Sequence, residues 1–225
     1  MDGDWLVKSI ISVNVLYFAI SLMISAGRGG FLSPGNTSLF LLGATGTDPI
    51  DHYGRYWTLI SANYLHGGIL HIIFNLMALK QIAPWASNEY GTSRMFSIYT
   101  LGGVFGFVVS YLAGVPFTIG ASAAVCSLIG ALLYYGKSRG GAYGASVYRE
   151  VSGWVISLFV FGLLFPGINN WGHGGGIIGG IIVGALLGYN ERRRENHFDQ
   201  ALALLSGLAT IGVLGWAVLG AFIYR

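Results

Sequence analysis

Charge is what this sequence has least of. Only 9% of its 225 residues are Asp, Glu, Lys or Arg, against 54% hydrophobic, where a soluble domain carries about 25% charged residues. So little charge cannot cover a water-facing surface, and with a mean hydropathy of +0.64 the chain reads as an integral membrane protein. Its apolar runs lack the alternating polar and apolar residues of barrel strands, which leaves helices. With one cysteine, Cys126, an intramolecular disulfide is excluded. The net charge is +3, but no soluble module carries a basic patch, so no nucleic-acid partner is expected. Regular repeats, low-complexity tracts and a separate soluble domain are also missing, and residues 1–225 are read as one membrane domain.

What is abundant is apolar length and glycine. A helix needs about 20 residues to cross the hydrocarbon core, and the apolar runs predict seven helices: Ser9 to Ala26, Ile69 to Ala83 continuing to Trp85, Met95 to Ala113, Gly120 to Tyr135, Val151 to Phe165, Trp171 to Tyr189, and Ala201 to Tyr224. The first run follows the polar start Met1-Asp2-Gly3-Asp4. It is too long for a signal-peptide core, lacks a small-residue cleavage site, and reads as a retained anchor. From Phe31 to Ile60, apolar residues alternate with Pro34, Asn36, Asp48, Asp51 and Arg55, which suits a segment lying in the membrane interface. Basic residues concentrate on the cytoplasmic side of membrane helices. An inside N-terminus puts Lys8, Lys80, Arg94, Lys137, Arg139, Arg149 and Arg192 to Arg194 inside, and only Arg28, Arg55 and Arg225 outside. Arg192 to Arg194 read as a topology anchor beside a helix end.

This orientation places three polar clusters at one depth near the outer face. Ser122 lies among small residues in Gly120-Ala121-Ser122-Ala123-Ala124-Val125-Cys126; His66, His71 and Asn75 surround the start of the second span; Asn169, Asn170 and His173 begin the sixth. Polar side chains inside a membrane helix are costly and usually face the bundle interior for a purpose. A serine hydroxyl is a weak nucleophile until a neighbouring base takes its proton, and His173 is the candidate base. Gly172, Gly176, Gly180, Gly184 and Gly188 form a bare stripe along the sixth span, and Ser122, Cys126 and Gly130 form a small row on the fourth, so the two backbones can approach closely. His71 and Asn75, four apart, share one helix face, and an asparagine amide with a backbone N–H can serve the oxyanion of acyl transfer. His66, His71 and His173 would also permit a zinc site, but that leaves the serine and the stripes unexplained, and no cofactor is expected. Cys126 is read as a small packing residue whose thiol form is favoured by apolar surroundings.

At these residues the sequence resembles the rhomboid family of intramembrane serine proteases. The resemblance rests on His66-x4-His71-x3-Asn75, on Gly120-Ala121-Ser122, and on Gly172-His173-Gly174-Gly175-Gly176 with Gly180. It runs from about Leu41 to Tyr189, and the added seventh helix looks like the family's six-plus-one arrangement. It implies an all-α polytopic fold with a six-helix core at about residues 9–189 and an extra C-terminal helix at about 201–224. It also implies cleavage of a peptide bond in or near the transmembrane segment of membrane-protein substrates. Ser122 would be the nucleophile and His173 its base, without an acidic third member. Asn75, His71 and the Ser122 N–H would hold the oxyanion, with His66 in support. Residues Phe165 to Asn170 would form a short cap, and the fifth span, with Trp154, Phe159, Phe161 and Phe165, would be the side that substrate enters past. A bacterial inner membrane and a cytoplasmic N-terminus fit this reading; the oligomeric state is not legible.

Three positions depart from the family pattern. Ala123 stands where a glycine usually follows the serine, Cys126 where an aromatic often stacks on the histidine, and Trp57-Thr58 with Arg55 where Trp-Arg is common. Two other readings stay open: a catalytically weak or inactive relative that binds membrane clients, and a transporter built on polar residues in a glycine-rich bundle.

Overall fold

The computed structural model describes residues 4–25, 29–165 and 167–223. Ala26, Tyr224, Arg28 and Arg225, named above as span ends and outer charges, lie outside the described residues, as does Pro166 within the expected cap. Among the described residues there are seven long helices: α1 (Asp4–Ser25), α5 (Ile69–Tyr90), α6 (Thr92–Leu112), α7 (Ser122–Arg139), α8 (Gly141–Leu164), α9 (Asn170–Leu187) and α10 (His197–Ile223). Three short helices, α2 (Asn36–Leu41), α3 (Thr47–Asp51) and α4 (Thr58–Ser61), and a 3-10 turn (Ala62–Tyr64) fill the segment between α1 and α5. No β-strand occurs among the described residues, only two isolated bridges. Five helices, α1, α5, α6, α8 and α10, are long and apolar enough to cross a membrane. The chain is an all-α, multi-pass integral membrane protein.

α7 is the axis of the bundle. Twelve of its 18 residues are buried, because α5, α6, α8 and α9 all pack around it. Glycine makes this possible. A Cβ on Gly176 would strike the Ala123 carbonyl and come within 3.1 Å of the Cys126 Cβ, one on Gly180 would strike the Ser127 carbonyl, and one on Gly130 would strike Ile177. The row on α7 that receives α9 is therefore Ala123, Cys126, Ser127, Gly130 and Ala131, turned slightly from the expected Ser122, Cys126 and Gly130. Gly188 is not part of the stripe. It ends α9 with φ +70° and faces open space, as a left-handed glycine cap does. Sequence periodicity also missed a second stripe: Gly175 and Gly179 lie against Val109 and Phe105 of α6, and Gly102, Gly103 and Gly106 of α6 lie against Ser127, Ala124 and the Gly172 carbonyl.

The segment between α1 and α5 is folded and tethered. Arg55 donates to the Phe40 and Leu41 carbonyls at 2.7 and 3.1 Å and lies over the Phe40 and Trp57 rings at 4.4 and 4.6 Å. Arg55 thus anchors the loop although Thr58, not arginine, follows Trp57. Thr45 pairs with Thr118 by two backbone hydrogen bonds of 3.0 and 2.7 Å, which fastens this segment to the loop entering α7. Phe31, Tyr53 and Tyr56 stay exposed, as aromatic residues at a membrane interface do.

α8 begins at Gly141, ahead of the expected Val151. Its first half crosses α7 backbone to backbone: a Cβ on Gly136 would lie 2.6 Å from the Tyr148 nitrogen. Its second half is mostly exposed, since only Gly144, Val147 and Val151 are buried along the helix, and it rests on the bundle through Trp154, Val155 and Leu158. At the far end of the bundle from Ser122, Arg94 is fully buried and paired with Asp199 at 3.0 Å, and Arg193 holds the other Asp199 oxygen at 2.7 Å. Arg94 also donates to the carbonyls of Tyr90, Gly188 and Arg193. These bonds dock α10 onto α6 and the end of α9. Arg94 and Arg193 are therefore buried or half-buried residues that hold helices together.

Candidate active site

Ser122 is the first residue of α7, and the preceding Ala121 offers no side-chain cap. The first N–H groups of a helix have no partner within it, and here no capping hydroxyl or carboxylate occupies them, so the positive end of α7 opens at the serine. The bend into the helix is made by Gly120 at φ +132°, held by its N–H donating to the Ala62 carbonyl at 2.9 Å. A side chain at 120 would lie 2.9 Å from His71 Nε2 and 3.4 Å from Ser122 Oγ. Glycine is thus required both by the backbone and by the two polar groups that close over it.

His71, in the first turns of α5, has a defined tautomer. The Gly67 N–H donates to its Nδ1 at 3.2 Å, so in the neutral ring Nε2 carries the proton. That N–H is the one beside Gly120 and Ser122. The ring of His66 stands edge-on to His71, with centroids 5.2 Å apart at 67°. His66 lies in the loop before α5, fully buried; that burial, with His71 beside it, pushes its imidazole down to about 3, so it stays neutral. Asn75, one turn further along α5, donates one amide proton to the His71 carbonyl at 2.8 Å, leaving its second N–H uncommitted.

His173 is in the first turn of α9, half-buried, its N–H donating to the Asn169 carbonyl at 3.1 Å. Nδ1 is buried with no hydrogen-bond partner among the described residues; no carboxylate backs the ring. The Ser122 hydroxyl forms no hydrogen bond among the described residues, to His173 or otherwise. Such contacts are often long without substrate and tighten only in the complex. Ala123 Cβ lies on the side toward α6, in a small cluster with Ala62 and Phe107, so its methyl fills a gap between helices. Cys126 is buried beneath Gly176, where it offers no ring to His173.

Asn169 was legible only as a polar neighbour of His173, yet it ties three elements together. Its Oδ1 caps α9 by accepting the Gly172 N–H at 2.9 Å, and its Nδ2 donates to Ser110 Oγ at 2.7 Å and Thr118 Oγ1 at 2.9 Å. Ser110 lies near the end of α6 and Thr118 lies four residues before Ser122, so one amide joins the helix of the histidine to the loop of the serine. Asn-Asn before a helix signals a cap from sequence alone; the two hydroxyl partners are remote and carry no such signal. Asn170 is used differently: its Oδ1 abuts Gly162 of α8.

Fold and site together describe a multi-pass helical membrane protein whose polar residues converge at one end of its central helix. The family model described as Rhomboid domain matches residues 53–190, more than half of the sequence, and the chain belongs to the rhomboid family. It is 33% identical over 135 residues to the rhomboid protease GluP of Bacillus subtilis, covering 60% of this chain and 27% of that protein. RHOMBOID-like protein 4 of Arabidopsis thaliana is 28% identical over 208 residues, covering 82% of this chain and 52% of the relative. RHOMBOID-like protein 1 of the same plant is 26% identical over 225 residues, with 87% and 56% covered. The chain thus spans between 27% and 56% of the length of these relatives.

Proposed function

We propose that the chain is an intramembrane serine endopeptidase in which Ser122 attacks a peptide carbonyl in or near a substrate's transmembrane segment and His173 acts as its base. Membership of a family with named proteases supports the reaction class. The observation that carries the residue assignment is the convergence at Gly120: Ser122 at the open start of α7, His71 Nε2 beside it, and α9 seated on α7 through Gly176 with His173 one turn above. His173 takes the serine proton as the oxygen attacks, then returns it to the leaving amine. The carbonyl oxygen, now negative, is met by the Ser122 N–H, the His71 Nε2–H and the free Asn75 N–H, donors fixed before substrate arrives. Water then releases the acyl group by the same route, and His66 keeps the His71 ring in place.

Substrate in this reading is a membrane protein that reaches the site through the bilayer past the loosely held second half of α8. The N-terminus lies in the cytoplasm and the site opens toward the opposite face, in a bacterial inner membrane. The test is cleavage of a transmembrane model substrate by purified protein. Wild type cleaves, whereas Ser122→Ala and His173→Ala fall to background; cleavage unchanged in either variant rejects the assignment. The second reading, a client-binding relative without turnover, is motivated by Ala123 and Cys126. It predicts substrate retained intact by wild type and by Ser122→Ala alike.

A further inference from the structure

The crossing of α7 and α8 leaves a cleft at the end of the bundle away from Ser122, about 22 Å along the α7 axis at 1.5 Å per residue. Close backbone contact at Gly136 and Gly144 holds the helices together on one side. Beside that contact opens a groove of about 670 Å³ whose lining includes Lys137, Tyr148, Arg149, Ser152, Gly153 and Ile156, a volume within the range of small-molecule sites. Its two ends differ. Lys137, Arg149 and the Ser152 hydroxyl mark the polar end. Ile156, 64% exposed, and the bare Gly153, where an added methyl would meet nothing within 4 Å, form the apolar end.

The charges are unbalanced. Arg139, at the same corner, is neutralised by Glu191 at 2.9 Å. Lys137 has only the Tyr148 ring, at 5.5 Å, and Arg149 has no ion-pair partner among the described residues. Two unneutralised cations above an apolar floor, on an apolar helix that the bundle leaves largely uncovered, fit a molecule with an anionic head and a hydrocarbon tail. Basic pockets between membrane helices hold such headgroups.

We propose that the cleft between α7 and α8 binds one anionic glycerophospholipid, its phosphate between Lys137 and Arg149 and an acyl chain along Gly153 and Ile156. The site stands apart from Ser122 and His173, and its test does not read proteolysis. The full chain in neutral detergent is titrated with phosphatidylglycerol or phosphatidylcholine of matched acyl chains, and bound lipid is counted by native mass spectrometry. Wild type retains one phosphatidylglycerol in preference to phosphatidylcholine. The double variant Lys137→Gln/Arg149→Gln binds it about thirtyfold more weakly, two surface cations' worth. Gly153→Leu, which fills the floor and leaves every charge, also weakens binding, whereas Lys80→Gln/Arg194→Gln, with the same loss of charge elsewhere, does not. Equal loss in the Lys80/Arg194 variant, unchanged binding in Gly153→Leu, or competition by glycerol phosphate at the concentration of the lipid each overturns the proposal.

Discussion

At the scale of single residues, the site depends on two that do no chemistry. Gly120 turns the chain into α7 at a positive φ of +132°, where a side chain costs on the order of 1–3 kcal/mol and would also meet His71 Nε2 at 2.9 Å. Gly120→Ala is therefore expected to lower kcat/KM at least about tenfold while the protein still folds, measured by cleavage beside a thermal unfolding curve. Asn169 separates two functions within one amide. Asn169→Ala loses the α9 cap, worth about 1 kcal/mol, and the link to Ser110 and Thr118. Asn169→Asp keeps an oxygen for the Gly172 N–H but loses the donor, so stability recovers and kcat does not. Ser122, His173, His71 and Asn75 stood out in the sequence because polar groups in apolar spans are rare and need a reason. Asn169 stood out only as a neighbour of His173, and Ser110 and Thr118 not at all, because hydroxyls and amides at helix ends look the same whether they cap locally or bond to a remote element, as here across separations of 59 and 51 residues.

At the scale of helices, α7 and α9 are held together by what they lack. Gly180→Ala would drive a methyl into the Ser127 carbonyl, and overpacking of this kind costs typically about 1–3 kcal/mol. The backbone cannot yield without moving His173 relative to Ser122. The expected outcome is a loss of cleavage larger than the loss of stability. Gly188→Ala makes no such contact and changes only the cap. The fourfold glycine spacing made this interface legible. The α6 face of α9 was not, since Gly175 and Gly179 make only one repeat of the same spacing, one position off the first stripe, and their partners Val109 and Phe105 are ordinary apolar residues. The early start of α8 was hidden too, because Ser146, Tyr148, Arg149 and Glu150 interrupt the apolar run at the membrane edge without interrupting the helix.

At the scale of the whole molecule, the two ends of the bundle divide the work. One end gathers the polar residues proposed to do the chemistry around the start of α7, and the other end locks the bundle through Arg94, Asp199 and Arg193. Breaking a buried pair costs up to about 3–5 kcal/mol; without Arg94, Asp199 keeps Arg193 at 2.7 Å, so the loss falls below that and includes the carbonyls of Tyr90, Gly188 and Arg193 left without their donor. Arg94→Ala is expected to unfold at a markedly lower temperature in detergent, and the paired change Arg94→Met/Asp199→Leu to recover much of the loss. From sequence, Arg94 read as one more inside charge, because proximity to Asp199 is set by how α10 returns to α6, across a separation that no local pattern spans.

Activation of Ser122 by His173 is tested most directly by a fluorophosphonate probe that bonds covalently to activated serine, with the modified residue located by peptide mass spectrometry. The expected result is a single adduct on Ser122 that forms in wild type and is lost in His173→Ala. Labelling at Ser122 undiminished in His173→Ala, or labelling confined to another serine, would contradict it.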